Sequence, residues 1–305
     1  MPDSTATPDS LTATSAPSKL PYRGRFAPSP TGPLHLGSLI AAVASYLDAR
    51  NHNGTWLVRI DNLDPPREVP GAADSILNSL RQHGLHWDEE VLWQSQRGPA
   101  YQRALGQLSS STFQCDCSRG ELGPNGDCQR GCRLRQQAPV TPCATRISVP
   151  ENVSIQFTDQ LQGQQNIALG QSAENFLIHR KDGLYAYQLA VVVDDAHQGI
   201  THIVRGSDLL DTTARQQFLQ QALGYLTPAY CHVPVITNAQ GQKFSKQNLA
   251  PALDSETAVL NLRTALDFLS QPHPPDGLYE PDSLLAFAAN HWSPHLIPGV
   301  MSISA

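Results

Sequence analysis

The stretch from Arg25 to Ser38, RFAPSPTGPLHLGS, limits what this chain can fold into more than any other. After it runs Leu39–Arg50, which contains neither Gly nor Pro. Leu36, Leu39, Ile40, Val43 and Leu47 recur there at the spacing of an amphipathic helix. The Pro/Gly cluster is therefore a turn, and His35-Leu36-Gly37-Ser38 opens the helix. A helix start presents unpaired backbone N–H groups and the positive end of a dipole. Gly32 and Gly37 let other groups approach the backbone closely. Such a turn can hold phosphate, with an imidazole and an arginine beside it. It can equally be a plain packing unit with an incidental histidine, and the stretch alone leaves both readings open.

The flanking segments extend the unit. Residues 22–28 read as a short strand and Gly54–Ile60 as a buried one, ending in Asp61-Asn-Leu-Asp64-Pro-Pro-Arg67. Strand, turn, helix, strand is the start of a βαβ unit, hence an α/β fold with a parallel sheet. Asp61 and Asp64 stand where open α/β sheets take ligands, although each could merely cap the next turn. Residues 71–85 and 101–108 read as helices, and 153–169 as short β segments. Phe176–Gly183 reads as a strand and turn. Tyr185–Val193 is apolar, β-branched at its end, and runs into Asp194-Asp195. Residues 200–206 form another strand candidate ending at Arg205, and Ser207-Asp208 can cap a helix over Leu209–Leu223. This is a second α/β half with charges at the same sheet edge. Farther on, Lys243 and Lys246 flank Phe-Ser in a polar loop that is either simply solvated or able to bring cations to a polyphosphate. Two helical runs, Ala258–Leu269 and Ser283–Asn290, remain after Leu253, too little for a substantial further domain.

Cys115, Cys117, Cys128 and Cys132 form two close pairs joined by a Gly/Pro/Asn-bearing loop. They can converge on one tetrahedral zinc; a disulfide pair or free thiols are the alternatives. Cys143 and Cys231 stand alone. With charged residues at 16% and a net charge of −6, there is no global basic field, so nucleic acid would have to be met by local patches such as Arg119, Arg130, Arg133 and Arg135. Those arginines read equally well as solvated surface. The apolar runs are too short to span a bilayer. Residues 1–20 lack a signal peptide's apolar core and read as a disordered tail. A cytoplasmic location with reduced cysteines follows as the expectation.

These motifs together resemble a family. PSPTGPLHLGS at 28–38 looks like the HIGH element of class I aminoacyl-tRNA synthetases, and KFSKQ at 243–247 like their KMSKS loop. RFAPSPTGPLHLGS, VRIDNLDPPR, VVVDD and ITHIVRGSDLL are similar to glutamyl-tRNA synthetases in particular. The cysteines and the lack of an anticodon-binding domain resemble their shorter branch, the glutamyl-Q tRNA(Asp) synthetases. That resemblance implies a Rossmann-like catalytic domain split into 21–108 and 173–250. It also implies a zinc-bearing insertion at 109–172 and a short helical part at 251–305, in a monomer. It further implies ATP-dependent activation of glutamate, with Mg2+, and transfer to queuosine in the anticodon of tRNA(Asp). By resemblance His35, Gly37 and Ser38 meet the ATP phosphates, and Lys243 and Lys246 neutralise the departing pyrophosphate. Arg25, Ala27, Ser29, Asp61, Tyr187 and Arg205 form the glutamate site, and the four clustered cysteines bind zinc. Three positions depart from the family pattern. Ser38 replaces the second histidine of the HIGH element, Asp61 replaces the usual Glu, and Cys128 replaces a frequent Tyr. A truncated enzyme charging the tRNA 3′ end, a non-catalytic RNA-binding paralogue and a nucleotidylyltransferase are the competing readings.

Overall fold

A computed structural model describes residues 11–12, 20–123, 126–137, 139–169, 175–238, 240, 242 and 251–304. At its amino-terminal end, β1 (Leu11–Thr12) pairs parallel with Ile155 and Gln156. The expected βαβ unit follows. β2 (Arg23–Phe26), α1 (Leu36–Asn51) and β3 (Thr55–Ile60) place Arg25 opposite Leu57 in a parallel pair. After α2 (Ala72–Gln82), β4 (Leu92–Trp93) adds a third parallel strand, and α3 (Gly98–Gln107) leads out of this half.

β5 (Thr112–Cys115) and β6 (Ala144–Ile147) pair antiparallel and carry the cysteine-bearing segment between them. The hairpin β7 (Ser154–Asp159) and β8 (Gly163–Ala168) comes next, and then β9 (Leu177–His179) pairs with β6. The second half consists of α4 (Tyr187–His197), β10 (His202–Gly206), α5 (Leu210–Leu223) and β11 (Ala229–Val233). β10 and β11 are parallel, with Arg205 opposite His232. β10 also runs beside β2, where the Thr201 N–H donates to Arg23 O at 2.9 Å. β12 (Val235–Thr237), α6 (Ala258–Phe268), α7 (Pro281–Asn290) and β13 (Ser302–Ser304) complete the chain, and β13 pairs parallel with β12. No helix among the described residues is long and apolar enough to cross a membrane.

Two elements differ from the sequence reading. The β-branched run before Asp194-Asp195, to which the sequence reading assigns no element, is helical: α4 buries Leu189 to Asp195 without interruption, and that packing overrides the strand preference of Val191–Val193. Ser207 does not cap α5. Its residues 207–209 form a 3-10 turn, and its hydroxyl donates to Met301 O beside β13.

Strand alternation decides what faces what. Trp56, Val58 and Ile60 of β3, with Val204, Cys231 and Val233, share a core with α1. Leu57, Ile203 and Tyr230 point to the other side of the sheet. By the same alternation Arg25, Arg59, Arg205 and His232 lie on that other side, under α4 and α5. α1 is not one-sided. The sheet covers one flank, and α6 and α7 contribute Leu262, Leu266, Leu284 and Leu285 to the same core on the other.

Within that core Asp48 of α1 is 3% exposed. It accepts the Tyr22 hydroxyl and, at 3.0 Å, the Trp292 indole N–H. One carboxylate thus ties the entry to β2 and the segment after α7 to the central helix. Asp48→Ala leaves two buried donors unpaired and lowers unfolding free energy by about 3 kcal/mol. Asp48→Asn, which can still accept from Trp292, loses less than half of that. Urea denaturation of the three proteins measures both values.

Candidate active site

The β2–α1 turn, the end of β10 and the β11–β12 corner enclose a cleft of about 360 Å3. His35 caps α1: its Nδ1 accepts the Ser38 N–H at 3.3 Å, and its Nε2 lies 3.0 Å from Ser38 Oγ. These bonds fix the ring at the helix start, 7% exposed and lining the cleft. Gly37 is required by space. A Cβ there would lie 3.2 Å from both the His35 ring and the Ile236 side chain. The substitution of the second HIGH histidine by Ser38 therefore leaves a small polar side chain that holds the first.

Lys243 and Lys246 lie outside the described residues. The flanks of their loop are placed. Ile236 lines the cleft, and on the far side Leu253 N–H donates to Leu34 O at 3.0 Å while Ala252 bridges to His35. Both ends of the loop thus join the walls of the cleft that His35 lines.

Arg25, Ala27, Ser29, Tyr187 and Arg205 line this same cleft. Asp61 does not. It lines an adjoining cavity of about 400 Å3, which shares Ser29 and Tyr187 with the first. Tyr187, at the start of α4 and 39% exposed, stands between the two.

A charge chain lies beneath. Arg25 Nε donates to Asp195 Oδ1 at 3.1 Å, and Arg59 Nη1 donates to the same oxygen at 2.6 Å. Arg59 Nε then donates to Asp61 Oδ1 at 2.7 Å. All four side chains are buried. Burial opposes ionisation of Asp195, but Arg25 and then Arg59 outweigh it and hold its carboxyl below the usual range. At Asp61 burial wins over Arg59, and its pKa is raised. Asp194 turns the other way, accepting Tyr101 Oη at 2.6 Å, Gln94 Nε2 at 3.0 Å and Arg97 Nε at 3.0 Å.

Arg205 is different. It is 6% exposed, and its partners are neutral. Nε donates to His232 Nε2 at 3.0 Å, Nη1 to Gln216 Oε1 at 2.8 Å, and Nη2 to Thr213 Oγ1 at 2.9 Å and Leu209 O at 3.4 Å. Among the described residues no carboxylate pairs with it. The cleft wall therefore carries a buried guanidinium that no carboxylate touches directly, Asp159 standing behind it across His232, and such a cation favours an anionic ligand.

The sequence reading did not single out Arg59, Asp159 or His232. A lone Arg within the apolar VRI strand and a lone His in CHV were the available signals, since a charged or polar residue inside a buried strand needs a partner.

Cys115, Cys117, Cys128 and Cys132 are buried, and their sulfur atoms all lie within 4.8 Å of one another. Cys117 Sγ is 3.6 Å from both Cys128 Sγ and Cys132 Sγ. A tetrahedral tetrathiolate with bonds of about 2.3 Å has sulfur–sulfur edges of about 3.8 Å, so the donor set fits a metal ion. Arg135 supports it from outside, donating to Cys132 Sγ at 3.1 Å and to Asp116 at 2.5 and 2.9 Å. Arg130 pairs with Glu121 at 3.1 Å, and Arg133 donates to Val149 O at 3.0 Å. These three arginines brace the cysteine segment, while Arg119 is exposed. Cys231 is buried and Cys143 half-buried, both as free thiols.

A family model described as tRNA synthetases class I (E and Q), catalytic domain, matches residues 22–261. The glutamyl-Q tRNA(Asp) synthetase of Neisseria meningitidis strain FAM18 is 48% identical over 289 residues, covering 91% of this chain and 97% of its own. That of Pseudomonas putida strain W619 is 48% identical over 280 residues, covering 90% and 94%. The crystal structure of the glutamate-tRNA synthetase from Elizabethkingia anophelis superposes with a TM-score of 0.78 at 22% identity, covering 94% of this chain and 68% of that one, and so shares the fold. By sequence, fold and the arrangement of its cleft, the chain belongs to the class I tRNA synthetases of the E and Q type.

Proposed function

We propose that this chain activates glutamate with ATP and transfers it to the queuosine base in the anticodon of tRNA(Asp). The names and near-full-length match of the relatives support the acceptor. The structural observation that carries the substrate is Arg205, a buried guanidinium that no carboxylate touches directly among the described residues, in the wall of the cleft that His35 lines. A dicarboxylate amino acid brings the missing negative charge.

In the first step a glutamate carboxylate oxygen attacks the α-phosphorus of ATP, presented as its Mg2+ complex. The Pα–O–Pβ bond breaks and pyrophosphate leaves. Catalysis is then largely positioning and charge stabilisation. His35, Gly37, Ser38 and the start of α1 receive phosphate oxygens, and Lys243 and Lys246 neutralise the leaving group. Arg205 takes a substrate carboxylate, and Arg25, Ala27, Ser29 and Tyr187 line its path. Asp61 receives the substrate ammonium from the adjoining cavity. Its carboxylate is already bonded by Arg59, so this contact is set by the charge chain. In the second step a nucleophile of the queuosine base attacks the acyl carbon, and AMP leaves.

Four-thiolate zinc is the ion proposed for the cysteine cluster, as a structural centre that closes the β5–β6 excursion.

Pyrophosphate exchange with glutamate and ATP in the absence of tRNA should proceed, and label from glutamate should enter queuosine-containing tRNA(Asp) but not the unmodified transcript. Charging of the tRNA 3′ end instead would overturn the acceptor, and no exchange under any condition would overturn the enzyme reading. Arg205→Ala removes a charge-assisted contact and should lower kcat/KM for glutamate about 100-fold or more, with KM for ATP nearly unchanged. Elemental analysis of the untagged protein should find one zinc per chain, and Cys117→Ser should lose it and melt at lower temperature.

A further inference from the structure

The guanidinium of Arg205 is held from behind by a buried pair, His232 and Asp159. His232 is 0% exposed and Asp159 is 1% exposed. Asp159 Oδ2 lies 2.6 Å from His232 Nδ1, and His232 Nε2 lies 3.0 Å from Arg205 Nε. Because an arginine Nε can only donate, His232 Nε2 must accept, and the imidazole proton must sit on Nδ1, facing Asp159. The imidazole is then neutral, and burial, the largest influence on it, disfavours its charged form.

Resting on the reading of Arg205 as a glutamate-carboxylate receiver, we propose that Asp159 and His232 are positioning residues for that site. They set the orientation of Arg205 while keeping the Asp159 carboxylate one imidazole away from it, out of direct contact. A carboxylate in place of His232 would anchor Arg205 equally well, but it would supply the negative charge that the substrate must bring. A neutral imidazole fixes the guanidinium and leaves its charge for the ligand. With Gln216, Thr213 and Leu209 O, this anchoring occupies four of the five guanidinium N–H groups. The remaining one, on Nη1, is the donor left for substrate. Arg205 thus offers one hydrogen bond and a full charge, rather than a two-pronged fork.

The geometry around Asp159 makes the proposal testable by a single-atom change. Its Oδ1 accepts three backbone N–H groups, from Leu161 at 3.1 Å, Gln162 at 2.9 Å and His232 at 3.1 Å. In Asp159→Asn those donors hold the amide oxygen at the Oδ1 position. The amide NH2 is therefore forced toward His232 Nδ1. The imidazole proton moves to Nε2, where Thr213 Oγ1, 3.2 Å away, can accept it but the Arg205 Nε–H now meets a donor, so the Arg205–His232 hydrogen bond is lost.

The test is steady-state pyrophosphate exchange on the full chain with glutamate and ATP varied in turn, together with nitrogen NMR of the histidine side chains. Asp159→Asn should raise KM for glutamate about 30-fold, with KM for ATP within about twofold and kcat within about threefold. Its His232 signals should show the proton moved from Nδ1 to Nε2. His232→Gln, whose side-chain oxygen can occupy the accepting position, should recover most of the affinity, whereas His232→Leu should not. Selective loss of glutamate affinity would not arise from a merely structural role, which would lower stability and shift all parameters alike. A glutamate KM unchanged in Asp159→Asn and His232→Leu while Arg205→Ala raises it would overturn the proposal and leave the glutamate site standing. A KM unmoved in Arg205→Ala as well would remove the site itself, and the proposal with it. If Asp159→Asn does not fold, the contrast between His232→Gln and His232→Leu decides.

Discussion

Asp195 lies between two buried arginines, and much of the architecture follows from that contact. Arg25 and Arg59 come from adjacent parallel strands and point to the same face of the sheet. Neither can be buried there alone, because an unpaired guanidinium in an apolar interior is strongly unfavourable. The carboxylate must arrive from another element at a fixed height above the sheet. α4 delivers it, with Asp194 and Asp195 in its later turns. A strand would send successive side chains to opposite faces. The helix instead lets Asp195 meet the arginines while Asp194 reaches Tyr101, Gln94 and Arg97. Removing one partner of such a pair typically costs about 3–5 kcal/mol, much more than a surface ion pair contributes. The requirement to neutralise the sheet face thus outweighs the β-branched composition of the segment.

The same face then divides in two. On the β2–β3 side, the alternation of Arg25, Asp195, Arg59 and Asp61 brings the net charge to zero. On the β10–β11 side, Arg205 meets neutral groups only. Both arginines border the cleft, yet among the described residues only Arg25 of the two meets a carboxylate directly. The difference lies in what touches each arginine from beneath: a carboxylate at Arg25, and at Arg205 an imidazole that stands between it and Asp159.

Much of the fold was legible in the sequence because its signals are local. The Pro/Gly turn, the uninterrupted helical run and the strand 54–60 define a βαβ unit without reference to the rest of the chain. The spacing of the four cysteines allows convergence on one metal, beside a disulfide pair or free thiols, and the structure brings their sulfur atoms together. What was not legible depends on partners far away in the chain. Ser207 has a capping residue's identity, but it lies within a 3-10 turn ahead of α5 and its hydroxyl is taken by Met301 O. Arg59 is separated from Asp195 by 136 positions, and His232 from Asp159 by 73. A one-dimensional pattern cannot state such a pairing. It can only show that a charged or polar residue in an apolar strand lacks a local partner. The glutamate set proposed by resemblance was brought into one cleft except for Asp61, which sits around the corner and is already bonded to Arg59.

That displacement of Asp61 links the substitution of the usual Glu to the charge chain. A carboxylate one methylene shorter stays close to Arg59, on the same strand, and its Oδ1 is 2.7 Å from the guanidinium. Burial raises its pKa despite that contact, whereas Asp195, with two arginines, is held low. The two acids of the chain are therefore unequal. Asp195 is committed to holding the sheet and helix together. Asp61 is the acid whose ionised form gains most from a further cation beside it, and a substrate ammonium is such a cation. The end of the chain nearest Ser29 and Tyr187 thus presents a buried acid, while Arg205 across the cleft presents a cation with no carboxylate in direct contact among the described residues. An amino acid with a side-chain carboxylate carries a complement to each, so the proposed glutamate would be oriented by the polarity of the site, which is set by which arginine meets a carboxylate directly beneath the sheet.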